Sequence, residues 1–175
     1  MENYALSIAN YFIDLANNSG RIIRPLKLMK LVYIAHGYML ALLDRPTKGT
    51  KLEKVEAWKY GPVFPSVYYS FKGYGKRPIT KKTEDIDFSS ISGSGEFSLV
   101  TPMLEKKEEK EICDFVWNTY GKYTDTSLVN ILHAEGTPWK KTYKENGQNA
   151  IIPDALTKQH YQEVIRKTLE NAKKQ

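Results

Sequence analysis

The chain has 175 residues, 41% hydrophobic and 26% charged, with a formal net charge of +6, which suits one folded domain and is too apolar for intrinsic disorder. Its single cysteine, Cys113, excludes an internal disulfide and any zinc site built on several thiolates, and favours a reducing compartment. There is no basic-then-apolar leader and no apolar run approaching ~20 residues, so the expectation is a cytoplasmic protein with no membrane partner.

In chain order, Leu6, Ile8, Ala9, Phe12, Ile13 and Leu15 recur at a helical period over residues 2–18, and Asn17-Asn18-Ser19-Gly20 ends that helix. A second helix starts on Pro25, which suits a first turn. It runs through Leu26, Leu28, Met29, Leu31, Val32, Ile34, Ala35, Met39, Leu40 and Leu43 until Asp44-Arg45-Pro46 stops it. Its apolar positions cover more than one face, so it should be the most buried helix. A short loop leads to strand-like Val55-Glu56-Ala57-Trp58.

The next stretch is the densest in the chain: Trp58-Lys59-Tyr60-Gly61-Pro62-Val63-Phe64-Pro65-Ser66-Val67-Tyr68-Tyr69-Ser70-Phe71. Gly61 can adopt backbone conformations closed to other residues, and Pro62 keeps it out of the helical region. Pro65 suits the first turn of a new helix with Val67, Tyr68 and Phe71 at helical spacing. The expectation is strand, rigid turn, helix.

Glycine and proline then interrupt residues 72–78, and residues 76–96 form a polar insertion expected to be mobile. Thr101-Pro102 reads as an N-cap and first helical residue, opening a helix to Tyr120 with Ile112, Phe115, Val116 and Trp117 inward. Shorter helices follow from about Thr126 to Ala134 and from Thr137-Pro138-Trp139. A last helix from about Thr157 turns Tyr161, Val164, Ile165 and Leu169 inward. The result is a mainly α single domain over 1–175, of about six helices, with small β pieces near 55–60, at 97–100 and at 150–152.

No catalytic signature accompanies this pattern. His36, His133 and His160 lack metal-ligand spacing, and no nucleophile elbow, phosphate loop or dinucleotide fingerprint occurs. Neither a metal nor a cofactor is expected. An enzyme or metal protein using His36 or His133 with Glu56 or Glu135 is one alternative, against which His36 reads as a core histidine and His133 as a residue that caps or bonds the turn from Gly136 to Trp139. Lys72, Lys76, Arg77, Lys81 and Lys82 cluster near Tyr74, so a nucleic-acid-binding regulatory protein is a second alternative.

Three blocks carry a family resemblance. They are Pro25-Leu26-Lys27-Leu28-Met29-Lys30-Leu31-Val32-Tyr33-Ile34-Ala35-His36-Gly37, the stretch from Glu56 to Tyr68, and Leu132-His133-Ala134-Glu135-Gly136-Thr137-Pro138-Trp139. In this order they resemble the Panacea domain of antitoxins, which includes SocA-like and phage-associated GepA-like proteins. Met29 stands where the family usually has Gln, and Thr137 where it has Ser; both changes keep the local role.

The resemblance implies a non-catalytic cytoplasmic protein that neutralises a protein toxin encoded in the same operon by direct binding, in some members with a protease that receives the toxin. Tyr60, Phe64, Tyr68, Tyr69, Lys72, Tyr74 and Arg77 are the candidate contact residues, on the flank expected to be exposed. Trp58, Gly61, Pro62, Pro65, His133, Pro138 and Trp139 are the candidate structural motif.

Overall fold

A computed structural model describes residues 4–43, 53–87 and 98–174. Helix α2 (Pro25–Leu43) is its axis. Fourteen of its nineteen residues are buried, among them Leu28, Leu31, Val32, Ile34 and Met39, each contributing about 1.5–3 kcal/mol by leaving water. By length and composition α2 could cross a bilayer, contrary to the expectation that no such run exists, but it is mostly covered by other parts of the fold.

The covering elements come from both ends of the chain. Helix α1 (Tyr4–Ser19) packs along α2 and against α4 (Lys107–Tyr120), while α7 (Asp154–Ala172) crosses α2 on another side. That crossing is close because Gly37 has no side chain: a Cβ there would stand 2.2 Å from the ring of Tyr161. Strand β1 (Glu56–Trp58) pairs antiparallel with β2 (Gly61–Val63) and with β5 (Ala150–Ile151), giving the order β2-β1-β5. Helix α3 (Pro65–Phe71) follows with a 3-10 turn at Lys72–Tyr74. Two short helices, α5 (Asp125–His133) and α6 (Pro138–Asn146), close the sheet side.

Caps account for several boundaries. Thr124 accepts from the Ser127 N–H at the start of α5, and Thr137 accepts from the Lys140 N–H, with Pro138 in the first turn of α6. Helix α3 has no local side-chain cap. Instead, the carboxylate of Glu53, thirteen residues earlier, takes the Ser66 N–H at 2.5 Å and its hydroxyl at 2.7 Å, where a negative charge complements the helix dipole.

The mainly α architecture agrees with the sequence, with seven α-helices among the described residues rather than about six, and β1, β4 and β5 fall where strands were expected. Strand β2 instead occupies Gly61–Val63, read as a rigid turn, because it pairs with β1, and β3 was not expected. Other expectations change. The helix expected from Thr101-Pro102 begins only at Lys107, because the fully buried Asn10 amide holds the chain extended there: it donates to the carbonyls of Thr83 (3.0 Å) and Pro102 (2.9 Å) and accepts from the Thr83 N–H (2.9 Å). The last helix begins at Asp154, one residue after Pro153 and three before the expected start. Phe115 and Leu169, expected inward, are 45% and 59% exposed.

Within the polar insertion, β3 (Asp85–Asp87) pairs antiparallel with β4 (Ser98–Val100). Its residues 88–96, Phe97 of the strand expected at 97–100, and the helix stop at Asp44-Arg45-Pro46 lie outside the described residues.

Candidate partner-binding surface

Strands β1 and β2 are joined by Lys59-Tyr60, with Trp58 opposite Gly61. Gly61 has φ +105°, and a Cβ on it would lie 2.9 Å from Lys30 Nζ, so both its torsion and its surroundings call for glycine. Lys30 projects from the second turn of α2, is fully buried, and donates to the Pro62 carbonyl at 3.1 Å. Burial pushes its pKa down to about 7: away from water the charged ammonium loses hydration that one carbonyl only partly replaces.

His133, at the end of α5, closes the same turn from the opposite side. Its Nε2 would be 3.4 Å from a Gly61 Cβ and has no hydrogen-bond partner among the described residues. The ring lies flat on Trp139, with centroids 3.6 Å apart and planes 2° from parallel, and Tyr143 stacks on Trp139 in turn at 4.8 Å. Burial, then the nearby Lys30 and Lys140 charges, hold its pKa below the ordinary value. Trp139 Nε1 donates to the Trp58 carbonyl at 2.8 Å. The expectation that His133 bonds the turn from Gly136 to Trp139 is therefore corrected: Thr137 does so, donating its hydroxyl toward the carbonyls of Leu132 and Ala134, while His133 acts by stacking.

Helices α2, α5 and α6 thus clamp the hairpin, and the aromatics lie at its tip and along α3 and the 3-10 turn that follow it. Tyr60 at the tip is 60% exposed with Lys59 Nζ 5.4 Å from its ring centroid. Trp58 meets Tyr68 edge-on at 4.8 Å, and Tyr68 meets Tyr69 at 5.3 Å. Tyr69 is also 60% exposed, with Lys72 Nζ 4.7 Å from its centroid. Tyr74 is half-buried against Phe71. Arg77 is exposed but donates to the carbonyls of Gly73 (2.9 Å) and Tyr74 (3.3 Å). Phe64 does not join this surface, because its ring is buried edge-on to His36 at 5.1 Å.

The residues named for an enzymatic alternative are dispersed. His36 is buried with Nε2 3.4 Å from Asp154 Oδ1, and this contact holds the Asp154 carboxyl below its ordinary pKa. Glu56 accepts from Trp58 Nε1 at 2.7 Å, and Glu135 pairs with Lys140 at 3.4 Å. Cys113 is buried, and burial pushes its thiol pKa up, away from the reactive thiolate. No cluster of three or more potential metal ligands occurs among the described residues.

Sequence reasoning missed Lys30. The available signal was a lysine within a helix apolar on every face, where a charge must either reach water or find a buried partner.

Residues 28–140, which include Lys30, the hairpin and Trp139, match the family described as "Antitoxin SocA-like, Panacea domain". The chain is also similar to Antitoxin SocA of Caulobacter vibrioides (strain NA1000 / CB15N), with 33% identity over 145 residues, covering 83% of this chain and 73% of that protein. No solved structure gives a significant match.

Proposed function

Because the chain belongs to the SocA-like antitoxins with a Panacea domain, we propose that it neutralises a cognate protein toxin by direct, non-catalytic binding in the cytoplasm. The relative's name supports an antitoxin role, and the exposed aromatic flank supports binding as the mode. Tyrosine supplies large contact area at low entropic cost and is enriched among residues that dominate interface energies.

The observation that carries this reading is the pair of tyrosines, Tyr60 and Tyr69, each 60% exposed and each with a lysine over its ring. Tyr60 extends from a hairpin clamped by Lys30, His133 and Trp139, and Tyr69 from helix α3 that follows it directly, so both sit on packed elements before a partner arrives. Tyr68, Lys72 and Tyr74 complete the proposed contact surface. Arg77, already bonded to backbone carbonyls, shapes its edge.

Co-expression with the product of the adjacent gene tests this reading. The expected result is rescued growth and a co-purifying complex, both weakened by Tyr60→Ala or Tyr69→Ala at unchanged thermal stability. A toxic neighbour that is neither rescued nor bound would overturn it. Lysines over tyrosines also suit nucleic acid, so a steep fall in DNA affinity with added salt, with no protein complex, would favour the regulatory alternative.

A further inference from the structure

The last turns of α7 leave the core. Tyr161 is buried over Gly37, but Ile165 and Leu169, next along the same stripe, border an open apolar groove of about 430 Å3. Its other walls are Tyr38, Leu42 and Leu43 of α2 and Ile112 and Phe115 of α4. Leu42 (55%), Phe115 (45%) and Leu169 (59%) are among the most exposed large apolar residues of the fold, and such a grouping marks an interaction surface.

The polar rim carries one sign. Glu108 and Glu111 line the groove from one face of α4, Thr168 lines it from α7, and among the described residues no lysine or arginine does, in a chain whose net charge is +6. Glu111 meets Lys107 at 3.5 Å, but both are exposed, so the pair neutralises the rim weakly.

Two stretches of this chain are poor occupants by sequence. Residues 44–52, Asp-Arg-Pro-Thr-Lys-Gly-Thr-Lys-Leu, hold one leucine, and residues 88–97 hold Glu96 and no basic residue. A second copy docked across the groove by two-fold symmetry would put Glu108 and Glu111 of both copies into one interface while the groove itself brings no described basic residue to face them.

We propose that the groove between α2, α4 and α7 docks an amphipathic helix of a partner protein, with apolar residues at i, i+3, i+4 and i+7 inserted among Leu42, Phe115 and Leu169 and with lysine or arginine facing Glu108 and Glu111. This is the helix-in-groove mode, in which apolar anchors supply affinity and flanking charge supplies selection. The groove is separate from the Tyr60–Tyr69 flank: Leu42 lies twelve residues beyond Lys30 on α2, about 18 Å along the helix axis. It does not depend on the antitoxin reading.

The test uses the full chain and three fluorescein-labelled peptides of about five helical turns: leucine and lysine in an amphipathic order, the same composition scrambled, and leucine with glutamate in the amphipathic order. Anisotropy should show the leucine–lysine helix binding at least ~10-fold more tightly than either control. Leu169→Asp should weaken it ~10-fold. Glu108→Lys combined with Glu111→Lys, on exposed positions, should shift preference to the leucine–glutamate helix.

Equal binding of the three peptides, or affinity unchanged by Leu169→Asp and by the double charge reversal, would overturn the proposal. A wild-type dimer in sedimentation that Leu169→Asp converts to monomer would do so as well, by making a second copy the occupant. Leucine–lysine binding that tightens in Leu52→Ser would overturn it by making residues 44–52 the occupant.

Discussion

Lys30 donates its buried ammonium to the carbonyl of Pro62, thirty-two residues away, at 3.1 Å. The bond ties the central helix to the β1–β2 hairpin without a carboxylate, leaving the lysine with a pKa pushed down to about 7 by burial alone.

A characteristic pH profile follows. Between about pH 7 and the ordinary lysine value of 10.5, the unfolded chain holds a proton that the fold has shed, so stability should rise by ~1.4 kcal/mol per pH unit from this group. Below pH 7 both states are protonated and the burial cost is constant. Above pH 10 stability should fall, because burial raises the pKa values of Tyr11 (to about 12), Tyr33, Tyr38 and Tyr161, and the unfolded chain loses those protons first. Urea unfolding across pH 6–11 should show the rise and the fall in the wild type. Lys30→Met should flatten the rise while keeping the alkaline loss.

Gly61→Ala should destabilise the fold by more than Gly20→Ala. Both glycines have positive φ, but a Cβ at Gly61 meets Lys30 Nζ at 2.9 Å whereas at Gly20 it meets nothing within 4 Å. The conformational cost alone is ~1–3 kcal/mol, and at Gly61 displacement of a buried lysine adds to it. Equal losses in urea unfolding would show that Lys30 yields freely.

Gly37→Ala should lower stability although alanine is the better helix former by ~1 kcal/mol, because its methyl would sit 2.2 Å from the Tyr161 ring. In a double-mutant cycle with Tyr161→Ala, the alanine at position 37 should become neutral or stabilising. That sign change identifies steric conflict at the α2–α7 crossing.

Trp139→Phe should cost ~1–2 kcal/mol by removing the donor to the Trp58 carbonyl. Tyr69→Ala, at a residue 60% exposed, should stay within ~0.5 kcal/mol of wild type. Thermal melts of the two variants check the contrast between hairpin clamp and exposed flank.

The legible parts were those with local causes. Pro25, Pro65 and Pro138 each open a helix, and Thr137 caps α6, as their chemistry requires. Gly61 was legible as a position that needs glycine, but not as what it is: it opens strand β2, and the turn is made by Lys59-Tyr60 just before it. The candidate surface was only partly legible: Tyr60 and Tyr69 are exposed, whereas Phe64 is buried against His36, and spacing along a short helix does not say which ring meets a neighbour.

By itself, then, the amino-acid sequence determined the helical class, the capped start of α6, and the three motif blocks that carry the family, since propensity, caps and motifs act within a few residues. Tertiary structure decided what depends on contacts far apart in the chain. Asn10 holds Thr83 and Pro102 and delays α4 to Lys107. Lys30 finds its only carbonyl at Pro62 among the described residues. Phe115 and Leu169 continue apolar stripes into a region that no described helix covers. A stripe's period reports the geometry of one helix, but whether that stripe is buried depends on where its neighbours end.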